Sequence, residues 1–184
     1  YLKACECLDA AGIHQYEISN FARDNREKYH SERSAEGKES KDPLFPSHAS
    51  RHNLKYWLRH PYLGFGVDAH SMLCAPRTSP SHAAVRFATN DNLDALLAGA
   101  PLTRTEVEEK NALEESFFLG LRLNRGINIE SISNEFGADA LTRYREQISE
   151  LTASGLLVME NNWLRLTDRG RLLSNEVFFR FLAD

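Results

Sequence analysis

Between Thr105 and Leu182 the apolar residues recur at helical spacing in three successive blocks. They then fall into two short runs and end in a last helical block. The short runs, Leu156 to Met159 and Trp163 to Leu166, flank Asn161-Asn162. That dipeptide tolerates the positive φ that a tight hairpin turn needs. Helix, helix, helix, hairpin, helix is the order of a winged-helix unit. Thr105, with Glu108 three residues on, has the form of a capping box. The first helix then runs to about Leu123 through Leu113, Phe117, Leu119 and Leu121, and Gly126 terminates it. Ile129 to Phe136, closed by Gly137, is the second. Asp139 to Ala153, closed by Gly155, is the third, and Thr167 to Leu182 is the last.

The first half is built differently. Leu2 to Ala11 is helical and Gly12 ends it, and Gln15 to Phe21 follows as a short strand. Helix, glycine, strand is a fragment of a βα repeat. Arg23 to Ser50 has almost no apolar residues before Leu44 and is read as a mobile loop, because it cannot bury enough surface to offset its ordering entropy. His30 and His48 lie within it without ligand-like spacing and are expected to be solvated. Tyr62 to Met72 reads as strand and turn, Cys74 to Ser81 as a Pro/Ser loop, and Asn92 to Ala98 as a short helix ended by Gly99. Pro101 begins a linker, which divides the chain into residues 1–100 and 101–184.

Composition removes several classes. The net charge of −4 argues against a general nucleic-acid surface. The helix 139–153 mixes Arg143 and Arg145 with Asp139, Glu146 and Glu150, so a winged-helix DNA-binding or interaction module is a secondary reading. The three cysteines, Cys5, Cys7 and Cys74, are unsuited to a disulfide scaffold and fit a reducing cytoplasm. Cys5 and Cys7 face different directions on a helix, which disfavours a shared metal. No run approaches the roughly 20 apolar residues that cross a bilayer.

The chemistry concentrates in Arg51 to Ser71, RHNLKYWLRHPYLGFGVDAHS. His52 and Tyr56 are four apart and share a helix face, with Trp57 to one side. An imidazole, a phenol ring and an indole could hold a planar ligand. Alternatively, His52 and Asn53 bond to backbone groups and anchor the segment. Gly64-Phe65-Gly66 permits close backbone approach to a bound group, with Asp68 and His70 beside it, although a lone GxG is a weak signal and a packing turn reads equally well.

Four blocks carry a resemblance. His52-Asn53-Leu54-Lys55-Tyr56-Trp57 matches an HNxxYW motif. Tyr16 to Ala22, Tyr62 to Ser71 and Leu164 to Phe178 are similar to YEISNFA, YLGFGAGAHS and LRLTxRGRLLSNEVF segments in the same order. Together they resemble the HemW haem chaperones and the related HemN-type oxygen-independent coproporphyrinogen III oxidases of the radical-SAM superfamily. The resemblance implies an α/β plus α+β fold. It consists of the last βα unit of a partial (βα)6 barrel and a post-barrel segment, followed by a winged-helix-like HemN C-terminal domain that acts as a lid.

The resemblance also implies a site. His52, Asn53, Tyr56 and Trp57 would contact haem, with His52 the candidate iron ligand. Gly64, Gly66 and His70, with Ser19 and Asn20 on the barrel strand, would lie on the S-adenosylmethionine or substrate side. No catalytic residue is assigned. The family's CxxxCxxC loop, which holds a [4Fe-4S] cluster, has no counterpart here. The expectation is the C-terminal part of a longer cytoplasmic protein. Its partners would be haem or porphyrin, the N-terminal radical-SAM half and a haemoprotein acceptor. Cluster and S-adenosylmethionine would be cofactors only of the intact protein.

Overall fold

A computed structural model describes residues 1–24, 45–75 and 83–182. The chain starts with α1 (Leu2–Ala10), which stops at Gly12, where φ is +73°. The strand expected over Gln15 to Phe21 is instead a hairpin. β1 (Ile13–Gln15) pairs antiparallel with β2 (Phe21–Arg23), Gln15 opposite Phe21, and Tyr16 to Asn20 form the loop. Consecutive Tyr16 and Glu17 are both buried, which a strand with one covered face does not allow.

Residues 25–44, including His30, lie outside the described residues. The ends of the expected mobile segment are built into the fold. Arg23 closes β2, Phe45 is buried beside Tyr16 and Leu123, and Ser50 caps α2 (Arg51–Trp57) by accepting from Asn53 N. His48 is exposed, as expected, and hydrogen-bonds Ser47 Oγ at 2.9 Å.

A three-stranded antiparallel sheet follows, in the order β3 (His70–Cys74), β4 (Ala84–Ala88), β5 (Thr103–Val107), with α3 (Leu93–Leu97) between the last two strands. β5 replaces the expected linker and capping box. Thr105 pairs with Arg86 in the ladder, and α4 (Glu109–Gly120) starts from Glu108 without a side-chain cap.

The remaining elements share one core. α5 (Ile129–Phe136) is followed by a 3-10 turn (Ala138–Tyr144) and α6 (Arg145–Ala153), so the expected helix 139–153 is broken in two. β6 (Ile127–Asn128), β7 (Leu157–Glu160) and β8 (Trp163–Leu166) form a sheet in the order β6-β8-β7. Asn161 and Asn162 turn the β7–β8 hairpin with φ of +50° and +66°, as their sequence predicts. The last helix divides at Leu173 into α7 (Asp168–Leu172) and α8 (Ser174–Phe179). Phe117 on α4 stacks on Phe181 at 4.6 Å between ring centres, and Tyr144 tilts against both. These rings are nearly or wholly excluded from solvent. Among the described residues no helix is long and apolar enough to cross a membrane.

Candidate functional site

α2 carries the HNxxYW block, and its two faces have different fates. Leu54, Trp57 and Leu58 turn toward Tyr16, Ala22, Phe45 and Leu123. The Arg122 guanidinium lies 4.4 Å from the Trp57 ring centre, and the indole Nε1 is buried without a hydrogen-bond partner among the described residues. Trp57 is therefore engaged in holding the helix down. His52 and Tyr56 point the other way. Their rings meet edge to face at 5.0 Å, and Tyr56 meets Tyr62 in the same manner at 4.7 Å. The result is a ladder of three rings, exposed at His52 and half-buried at Tyr56 and Tyr62. Burial raises the pKa of the Tyr62 phenol, against a smaller opposing pull from Arg86. Asn53 contributes its backbone N–H to the Ser50 cap.

The YEISNFA block supplies the support under α2. Glu17 is fully buried. Its Oε1 accepts from Ser19 N at 2.9 Å and from Asn20 Nδ2 at 2.5 Å, while Oε2 faces Arg122 at 3.7 Å. Asn20 thus spends its amide on Glu17, and exposed Ser19 completes the turn. Main-chain bonds from Ile18 N to Arg122 O, and from Asn124 N to Tyr16 O, tie this loop to the segment after α4. The Tyr16 hydroxyl accepts from Ser50 N at 3.3 Å and so reaches the N-cap of α2.

Arg59 closes α2 at a left-handed φ of +51°. Its nearly buried side chain donates to Ser116 Oγ at 2.9 Å and to Glu135 Oε1 at 3.2 Å, and lies 3.5 Å from Glu115, which also pairs with Arg86. The two ends of α2 are thereby fixed to different layers of the molecule. Arg59 and Arg122 had no local sequence signal, since their partners lie far along the chain.

The glycine pair is split in role. A side chain on Gly64 would lie 2.3 Å from His70 O, so Gly64 is required where its backbone crosses that of His70. Gly66 has φ +105° and open space around it, and Phe65 between them is 87% exposed. His70 is exposed, with Nε2 at 3.7 Å from Asp68. The structure therefore brings His52, Asn53 and Tyr56 together on α2, turns Trp57 inward, and holds Ser19 and Asn20 around Glu17. It places Gly64 and Gly66 on the loop after α2 and His70 at the start of β3.

Residues 107–173 match a family model, that of the HemN C-terminal domain. The heme chaperone HemW of Bacillus subtilis is 32% identical over 180 residues, covering 96% of this chain and 40% of that protein. The chain is similar to the HemW and HemN proteins over part of their length. The HemW protein of Lactococcus lactis is 30% identical over 183 residues. A mitochondrial radical S-adenosyl methionine domain-containing protein 1 of Danio rerio is 27% identical over 192 residues. The solved coproporphyrinogen III oxidase HemN of Escherichia coli, a radical SAM enzyme, superposes with a TM-score of 0.58 at 17% identity. It matches 98% of this chain and 39% of its own, a likeness of fold. The chain spans about 40% of the length of the HemW relatives it matches.

The residues present fit one of the groups that this likeness brings to mind and not the other. His52 offers an exposed imidazole with no hydrogen-bond partner among the described residues, beside a ring wall, which suits an axial ligand to haem iron. The cysteines offer no cluster site. Cys5 and Cys7 are on α1, Cys74 ends β3, and among the described residues no three His, Cys, Asp or Glu side chains gather as metal ligands.

Proposed function

We propose that this chain is the haem-binding part of a HemW-like haem chaperone, with His52 as iron ligand and Tyr56 as the adjoining wall. The observation that carries this is the His52–Tyr56–Tyr62 ring ladder that starts on the HNxxYW helix and is exposed at His52. Trp57 acts indirectly, by pinning that helix. The names of the HemW relatives at 30–32% identity favour the chaperone over the oxidase. Haem would pass from this site to a haemoprotein acceptor in the cytoplasm. In this reading residues 1–24 are the last unit of a partial barrel, the segment up to about residue 100 is post-barrel, and the C-terminal unit is a winged-helix lid. The charges on its hairpin and on the helix that follows support a lid over a nucleic-acid reader, since Arg165 pairs with Glu160 and Arg171 with Asp168. Gly64, Gly66 and His70 face the S-adenosylmethionine side, and cluster chemistry belongs to the remainder of the longer protein.

Haem titration of the wild-type chain and His52→Ala at matched folded fraction tests the site. The Soret band of the imidazole complex is expected to disappear. Affinity should fall by about tenfold or more, the scale that even an outer partner of a metal ligand controls. Identical spectra and affinities for the two proteins would exclude His52 as the ligand. Anaerobic reconstitution with iron and sulfide should leave the chain without a stoichiometric cluster. A [4Fe-4S] spectrum that survives desalting would refute the assignment of the cluster to another part of the protein.

A further inference from the structure

One charged group on the ring ladder is left over once the packing is accounted for. Arg59 is matched by Glu115 and Glu135, Arg86 by Glu115, and Arg122 by Glu17. Lys55 pairs with no carboxylate among the described residues. Its ammonium lies 5.3 Å from the centre of the Tyr56 ring and 5.7 Å from that of Tyr62. A ring face attracts a cation but does not use up its N–H donors. The position is one turn of helix from the exposed His52, beside the same ladder.

We propose that Lys55 recognises a carboxylate on the planar ligand that His52 binds. The inference rests on the haem reading above and names the ligand's second recognition element. Iron protoporphyrin IX carries its two carboxylates at one edge, away from the metal, so a site on an open wall needs a cation displaced from the iron ligand. Lysine suits this task. Its charge sits on a flexible four-carbon stem and can swing from the tyrosine faces to a carboxylate without disturbing either ring. The same displacement would orient the macrocycle, carboxylate edge toward Tyr62 and the metal toward His52.

The test uses iron protoporphyrin IX and its dimethyl ester, which lacks the carboxylate charges, delivered in the same mild detergent to the whole chain. Lys55→Gln should weaken binding of the free acid about fivefold, the effect of one partly screened ion pair. It should leave the affinity for the ester and the position of the Soret band unchanged. Lys55→Arg, which keeps the charge, should bind the free acid close to wild type. Equal losses on both probes, or no loss on the free acid, would overturn the assignment. His52→Ala in parallel separates the two ideas. If it changes neither probe's spectrum, the haem site itself is wrong. If it changes both while Lys55→Gln changes nothing, only the carboxylate role fails.

Discussion

Replacing Arg122 by alanine is expected to destabilise the chain by about 3 kcal/mol, the low end for removing one partner of a buried pair. Glu17 is excluded from solvent, and its Oε2 has no hydrogen-bond donor among the described residues, so the Arg122 guanidinium at 3.7 Å is its main compensation on that side. The same guanidinium covers Trp57 at 4.4 Å. The variant therefore loses a charge partner and, within that total, a ring contact worth about 0.5–2 kcal/mol. Two readouts separate these causes. In a Glu17→Gln background the added cost of Arg122→Ala should shrink, because an amide needs no counter-charge. Trp57 fluorescence should change in both backgrounds, because the indole loses its cover. Denaturant unfolding with an equal Arg122→Ala penalty in both backgrounds would refute the charge argument. A lowered haem affinity at matched folded fraction would follow from the looser seat of α2, without a change in the Soret position.

The parts of this architecture that showed in the sequence are those set by neighbours a few residues apart. The HNxxYW helix, the Asn161-Asn162 hairpin and the stop at Gly137 follow from i,i+4 spacing and from residues that tolerate positive φ. What did not show depends on distant partners. Thr105 and Glu108 satisfy the capping-box pattern locally, yet β4, some twenty residues upstream, recruits Thr103–Val107 as a strand. Gln15 to Phe21 looks extended, but Glu17 bridges to Leu123 and the chain turns back over Tyr16 to Asn20. The site was half legible for the same reason. The spacing of His52 and Tyr56 placed them on one face, but nothing near Trp57 says that Arg122 covers it. Lys55 fills a variable position of the motif and carries no signal there, because a lone lysine becomes informative only when the carboxylates around it are engaged elsewhere.

Gly126→Ala is expected to cost about 2–4 kcal/mol and to loosen the joint on which the candidate site rests. Gly126 has φ +73°, and a Cβ there would lie 1.9 Å from Leu164 O and 2.7 Å from the Arg165 Cα. Both obstacles are backbone, so no rotamer change relieves them. The left-handed conformation alone costs an alanine about 1 kcal/mol, and the remainder is the displacement of β8 from a packed core. Leu164 is fully buried, and β6 pairs with β8 at Ile127 opposite Leu164, so the shift would spread through that sheet. It would also spread backward. Leu121 to Arg125 lead into Gly126, and this stretch holds the YEISN loop through Ile18 and Asn124 and covers Trp57 through Arg122. Gly12 is the control. Its φ is also +73°, but no atom lies within 4 Å of the point an alanine methyl would occupy, so Gly12→Ala should lose only the conformational part, about 1 kcal/mol. Thermal unfolding of the two variants should thus show a large and a small drop. Hydrogen exchange should report early opening of the 13–24 hairpin and α2 in Gly126→Ala. Equal, small drops would mean that β8 gives way easily and that the two halves of the site are not held through this turn.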